Sequence, residues 1–544
     1  MYKMKNSRKI TKAVSLTAAM LMAFSSLTAC NKNKVADDEN TLEIYITEAG
    51  YGKKWLEKLE KIFEAENPEI KVEIRSDKGV SLCNQKVTSG PNINTADLLF
   101  TLEDWDQIIL AGENAVGGYD YALADMTEFI EKEIDGVKLK DKFRKYNTSG
   151  LKMELEEFDW EPHYFALPYA ASATGIVYNR NLFTEKGWKL PRTSNELVAL
   201  AKTIKKAGYI PFCNETSTGY MGYIIAAMWA QYDGADYYYD YISPTIEEDW
   251  IEYSTTPSTN GRLYAMKVAQ QLFNQTDGLL NPNATADDYG RAQGRLISKQ
   301  GAMSINGDWF DNEMSLAISQ GNAEGNNYAS GMMKTPVISA LVDQLSFWSE
   351  EYSLPYHDQI VDPPVTPYVE TFDQYLADLV DYVDGVTTSV PTITVNGNTY
   401  TATDADIVTV KEARGCYRSL GSGHTVVIPS YATAKNAAFK FLELFYSDRG
   451  SQIFLEETKG GLPAVEYDVT QWSGYANATA FQKDVFDMVE KGTPINFPGG
   501  SFYSLPQASA GKYHNSNQTP EQAFEESCWT KEEFDDFMRS VGLM

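Results

Sequence analysis

The order of the first apolar segments restricts this fold more than any other feature of the chain. Leu42, Ile44 and Ile46 alternate as a half-buried strand does. Trp55, Leu56, Leu59, Ile62 and Phe63 follow at helical spacing, and Asn67-Pro68 ends that helix. Ile70, Val72 and Ile74 alternate again, and the apolar run 96–100 reads as another strand. Strand, helix, strand predicts a βαβ unit and a parallel sheet, whose ligands lie beyond the carboxyl ends of its strands. Loops 47–52 and 101–106 are therefore the ones to watch.

The α/β texture restarts near Tyr164. Residues 164–169 lead into a strand at 174–179, and Thr193 with Glu196 has the capping-box spacing. Leu197, Leu200, Ala201 and Ile204 continue that helix on one face. The uncharged stretch 216–232 is too short to span a membrane and reads as a buried helix with a loop before it. Residues 301–309 (GAMSINGDW) predict a strand, then a turn at Asn306-Gly307 that exposes Asp308 and Trp309. From about 339 to 414 the texture changes, and two β-rich runs flank Asn396-Gly397, a hairpin signal. This stretch reads as an inserted subdomain. Residues 425–429 form a buried strand. Ala438, Phe441, Leu442 and Phe445 mark an amphipathic helix, and Phe534, Phe537 and Met538 mark the last one.

Lys3, Lys5, Arg8, Lys9 and Lys12 open the chain without an acid, residues 13–29 carry no charge, and Leu27-Thr28-Ala29 precede Cys30. A basic start, a short apolar stretch and small residues before a cleavage point mark an export signal. Cys30 directly after them resembles the bacterial lipobox, which implies a diacylglyceryl group on its sulfur. The alternative is an N-terminal transmembrane helix, but the stretch is short and interrupted by Ser15, Thr17, Ser25 and Ser26. Two acyl chains suffice for stable anchoring, and the polar residues 31–40 read as the tether. The 544 residues hold 47 Lys and Arg against 75 Asp and Glu, a net charge of −28. That balance excludes nucleic acid as a partner, because phosphate contacts need a basic face. Cys83, Cys213, Cys416 and Cys528 are far apart and read as small buried residues; two disulfides remain the alternative.

These pieces, in this order, resemble the bacterial extracellular solute-binding proteins of ABC importers, in particular the large sugar-binding group. The residues that carry the resemblance are the lipobox, the run from Leu42 to Ile74, YFALPYAASATGIVYNRNLF from Tyr164, GAMSINGDWF from Gly301 and VVIPSYATAKNAAFKFLELF from Val426. The resemblance implies a two-lobed, periplasmic-binding-protein-like α/β fold. Each lobe is a sheet flanked by helices, and hinge strands join the lobes. The expected divisions are a signal at 1–29, a lipidated tether at 30–40, lobe 1 at 41–165 and 331–430 with the insertion at 339–414, and lobe 2 at 166–330 and 431–544. It also implies a carbohydrate ligand, ABC permease subunits as partners, and a lipid-anchored place on the outer face of the cell membrane.

Catalytic spacing is scarce. The sequence contains no nucleophile elbow and no phosphate-binding P-loop, and His163, His357, His424 and His514 stand apart, without zinc-site spacing. No cofactor or metal is expected. Asp233, Asp236 and Asp240 lie among tyrosines without calcium-loop spacing and read as an acidic surface segment. A sugar presents apolar C–H faces, which stack on flat rings, and hydroxyls, which need donors and acceptors. Asp308 with Trp309 has that form, and in related binders the Trp of this run stacks on sugar. Glu48 and Tyr51 follow the first strand, Asp104 and Trp105 follow another, and Tyr169 stands at the expected crossover between lobes. Tyr220 and Trp229 are weaker candidates, since a ring in an apolar helix is usually core. Three rivals remain: a secreted carbohydrate-active hydrolase using a carboxylate pair, a receptor for a peptide or polyamine, and a receptor that regulates a sensor kinase.

Overall fold

The computed structural model describes residues 39–527 and 532, except 49, 79–81, 103–104, 106–120, 146, 149–150, 154–160, 217–218, 243–260, 274–276, 353–368, 421–422 and 497–518. In chain order the strands that organise it are β1 (Thr41–Glu48), β2 (Lys71–Lys78), β3 (Leu98–Thr101), β4 (Leu167–Pro168), β5 (Thr174–Asn179), β6 (Ile210–Phe212), β7 (Gly301–Gly307), β8 (Ser330–Met333), β9 (Thr392–Val395), β10 (Asn398–Thr401), β11 (Cys416–Ser419), β12 (Thr425–Val427) and β13 (Thr493–Asn496). The helices that position the site are α1 (Lys54–Glu66), α2 (Ser194–Lys206), α3 (Gly222–Asp233), α4 (Gly261–Phe273), α5 (Val369–Val383), α6 (Asp404–Gly415), α7 (Lys435–Phe445), α8 (Asp448–Glu457) and α9 (Ala480–Lys491).

The first sheet has the order β2-β1-β3-β12-β4. Its three leading strands are parallel, with Ile44 beside Ile74 on one side and Leu98 on the other. β12 and β4 complete it antiparallel, Val426 lying between Phe100 and Leu167. The alternation in β1 predicts one wet face, yet the strand is buried from Leu42 to Thr47. Leu42, Ile44 and Ile46 pack with Trp55, Leu56, Leu59 and Phe63 of α1. On the other face Tyr45 packs with Cys83 and Val87. Glu43 is buried among them, its carboxylate held by Arg75 at 3.1 Å and by the Thr95 hydroxyl. α7 and α8 belong to this lobe: Trp55 meets Phe445 and Phe454, each with ring centres 5.2 Å away.

The second sheet has the order β6-β7-β5-β8. β6 and β7 are parallel, while β5 runs antiparallel to both β7 and β8. α3 is buried on all sides, as the apolar stretch predicts. β11 and β13 pair in parallel beside it. Thr193 caps α2 by accepting from the Glu196 amide at 3.2 Å. The Glu196 carboxylate, however, takes the amide and guanidinium of Arg192 instead of closing the box.

Three stretches of chain join the lobes and lie side by side. Residues 169–173 lead from β4 to β5, β11 returns to β12 past Leu420 and His424, and residues 458–465 leave α8. Ala170 bridges Pro463, Ala173 bridges Ser419, and the Tyr169 amide donates to the His424 carbonyl at 2.9 Å.

The stretch read as an insertion takes a place that differs from the expected one. Asp373 of α5 accepts from Thr193 at 2.8 Å and from Ser339 at 2.6 Å, and α6 packs on α3. Among the described residues, 330–352 and 369–419 therefore sit with the second lobe rather than the first, and 435–457 with the first rather than the second. Cys83, Cys213 and Cys416 are buried free thiols. Cys528, the signal and Cys30, and the helix at Phe534–Met538 lie outside the described residues. Among the described residues no helix is long and apolar enough to cross a membrane, and no cluster could hold a metal ion.

Candidate functional site

The carboxyl ends of β1 and β7 face each other across the joining stretches, and the side chains that follow them meet. Tyr51, beyond β1, donates its hydroxyl to Asp308 Oδ1 at 2.7 Å. Asp308, beyond β7, also accepts from the Leu462 amide at 3.2 Å, and its own amide donates to the Ala173 carbonyl at 2.9 Å. Asp308, through its carboxylate and its backbone amide, thus ties together a loop of the first lobe, the end of a strand in the second and two of the joining stretches. The Tyr51 hydroxyl also lies 3.4 Å from Ser172 Oγ, which is 3.0 Å from His424 Nδ1.

The rings form a cluster around this junction. Tyr51 meets Trp309 and Tyr169 edge-on, each at 6.3 Å, and His424 at 5.2 Å. Tyr169 stacks on Trp55 at 6.1 Å. On the other side Trp309 approaches Tyr220 at 6.4 Å. Edge-to-face contacts of this kind contribute roughly 0.5–1.5 kcal/mol each.

The expected turn at Asn306-Gly307 is absent. β7 runs through Gly307, and Trp309 is only 4% exposed and Asp308 1%. The two glycines around the indole serve close approach. A Cβ on Gly307 would come within 2.1 Å of Trp309, and one on Gly50 within 2.5 Å. Asn312 Nδ2 donates to the Gly50 carbonyl at 2.7 Å and pins the first-lobe loop over the indole.

Burial sets the charge states. It pushes the Asp308 carboxyl up to about 7, although Tyr51 and backbone amides pull the other way. It raises the Tyr51 hydroxyl well above its ordinary value, helped by Asp308. It pushes His424 down to about 4, against a backbone hydrogen bond at Leu420 that favours the charged form. The Ser172–His424 pair has the contact of a nucleophile and its base. A general base works best with a pKa near the operating pH, and His424 lies far below neutrality. The pair links two joining stretches.

Of the residues read from the sequence, Tyr51, Tyr169, Asp308 and Trp309 come together. Glu48 points elsewhere: it accepts from Ser76 Oγ at 2.5 Å and pairs with Lys53 at 3.4 Å. Trp105 is buried in the first lobe with Tyr45 and Val427, and its indole donates to Thr425 Oγ1 at 3.2 Å. Asp104 lies outside the described residues. Trp229 is core, donating to Asp233 at 2.7 Å. The segment read as an acidic surface begins with that same Asp233, which accepts from the amide of Gly261, the first residue of α4, and is pushed up to about 7 by burial. Ser172, His424, Asn312 and the Leu462 amide belong to the junction and were not legible as site residues. Their only sequence signal is position: Ser172, His424 and Leu462 lie in the stretches that cross between lobes, and Asn312 follows Trp309.

Two sheets joined by three stretches, with a junction of acid and rings between them, define a two-lobed binding protein. Residues 45–452 match the family of bacterial extracellular solute-binding proteins, and the chain belongs to it. The multiple sugar-binding protein of Streptococcus mutans is 24% identical over 311 residues, 55% of this chain and 65% of that one. The diacetylchitobiose binding protein of Streptomyces coelicolor is 23% identical over 286 residues, 51% of this chain and 54% of that one. The matches thus span less than two thirds of these relatives' length. Among solved structures, an ABC substrate-binding protein of Listeria monocytogenes in complex with cycloalternan has the same fold, with a TM-score of 0.56 at 16% identity over 93% of this chain and 100% of that one.

Proposed function

We propose that this chain is a receptor that captures a carbohydrate between its lobes and delivers it, unchanged, to an ABC permease. The single observation that carries this is the meeting of Tyr51, Asp308 and Trp309 from opposite lobes at one point. Flat rings beside a carboxylate suit a polyol, whose C–H faces stack and whose hydroxyls donate. The printed names of the relatives, which speak of sugars, point the same way.

In the arrangement described, Gly50 and Tyr51 cover Trp309. A sugar reaches the indole only when they withdraw, so binding and lobe movement are one event. Such a movement is driven only by the difference in ligand affinity between the open and closed forms. We place the lipid anchor at Cys30 and the receptor on the outer face of the membrane, with 31–40 as the tether.

A glycan-binding screen on the purified protein, repeated with Trp309→Ala, tests this. The substitution should weaken sugar binding at least tenfold, about 1.4 kcal/mol, with an unchanged circular dichroism spectrum. Unchanged affinity removes Trp309 from the site, and a glycan that is cleaved in the assay makes the chain a hydrolase.

A further inference from the structure

A pocket of about 410 Å³ has Leu462 in its wall. The Leu462 amide donates to the Asp308 carboxylate, which places the pocket next to the junction. Both lobes contribute walls. Arg144 comes from the segment that packs on the first lobe, where neighbouring Phe143 meets Tyr446 with ring centres 5.4 Å apart. Tyr417, Phe486 and Glu490 come from the second lobe, and Glu466 from the third joining stretch.

Arg144 is held in place. Its amide donates to the Ala464 carbonyl at 3.0 Å and its Nε to the Pro463 carbonyl at 3.2 Å. Its terminal nitrogens have no hydrogen-bond or ion-pair partner among the described residues. Burial lowers its pKa, offset in part by Tyr417, Glu466, Asp308 and Glu490. A positioned guanidinium fork matches a carboxylate bidentately. Lys145 adds a second cation to the lining, and the exposed carboxylates of Glu466, Asp468 and Glu490 line the same pocket, so a simple anion would meet them as well. Tyr417 and Phe486 add rings to the lining.

We propose that this pocket is a second binding site, separate from the Tyr51–Asp308–Trp309 junction, for a small zwitterion of the amino-acid type, its carboxylate on Arg144 and its ammonium toward Glu466 and Glu490. Because both lobes line it, an occupant holds one arrangement of the lobes and is thermodynamically linked to whatever binds at the junction.

Calorimetric titration of the purified full chain, with no sugar present, tests this using the twenty protein amino acids and 4-aminobutyrate, with acetate and butylammonium as singly charged controls. At least one zwitterion should bind, and both controls at least tenfold more weakly. Arg144→Gln should abolish that binding. Glu490→Lys changes an exposed side chain, so the fold survives; it should lose the zwitterion at least tenfold and gain acetate. Acetate binding as tightly as any zwitterion, butylammonium doing so, no binding by any probe, or zwitterion binding indifferent to Glu490→Lys would each overturn the proposal. None of these outcomes depends on which sugar, if any, the junction takes.

Discussion

At the scale of single residues, Asp308 and His424 sit in one junction with opposite electrostatic habits. The Asp308 carboxyl is pushed up to about 7, so its favourable contribution is complete below about 3.8 and is lost as pH rises through 7. The His424 imidazole is pushed down to about 4, so its contribution is complete above about 6.5 and is lost as pH falls through 4. In the parent the two trends oppose each other, and single substitutions separate them. Relative to the parent, Asp308→Asn should be better tolerated at pH 7 than at pH 4.5, and His424→Gln better at pH 4.5 than at pH 7. Urea midpoints at the two pH values measure both. Shifts of the same sign in both variants would contradict the assigned burial of these groups. The sequence offered Asp308 as an acid beside a Trp, exposed by a turn; the structure buries it at the end of β7. The sequence offered His424 only as an isolated histidine, because nothing within a few residues of it records the chain 252 positions earlier whose Ser172 it meets.

At the scale of elements, two Asn-Gly pairs illustrate what a local signal can and cannot say. At Asn396-Gly397 both residues have positive φ, 50° and 87°, and β9 and β10 form the expected hairpin. At Asn306-Gly307 the same dipeptide continues a strand, and the glycine is there for the indole. A turn requires a partner run on each side, and only the first pair has one. Gly307→Ala should therefore cost about 1–3 kcal/mol, the range for overpacking a filled site, and should shift the tryptophan emission. Thermal unfolding and fluorescence read this. A neutral effect would mean that the indole is free to move aside. The same contrast holds for helices. The spacing of Ala438, Phe441, Leu442 and Phe445 revealed α7, but an amphipathic face announces only that something covers it. The covering group is Trp55 with Phe63, on α1 of the first lobe, through ring contacts with Phe445 and Phe441.

At the scale of the whole molecule, strand order pointed to a parallel opening sheet and to the loops beyond its carboxyl ends, while the two lobes were what the resemblance implied. The division of segments between lobes was not legible. The described parts of 330–419 and residues 435–457 exchange places relative to expectation, because hydrophobic periodicity fixes which face is buried and not which body buries it. The joining stretches explain why the exchange is consistent: the chain crosses at 169–173, returns before β12 and crosses again after α8. The lobes are joined by three neighbouring stretches of chain, with Leu462 touching the junction through its amide and lining the Arg144 pocket. In the proposed function, the lobes part to admit an intact sugar and close on it. Small-angle X-ray scattering, recorded with and without a glycan that binds in the screen, addresses it most directly. The expected result is a smaller radius of gyration with glycan present, lost in Trp309→Ala at the same glycan concentration. An unchanged radius in the presence of saturating, intact glycan would contradict it.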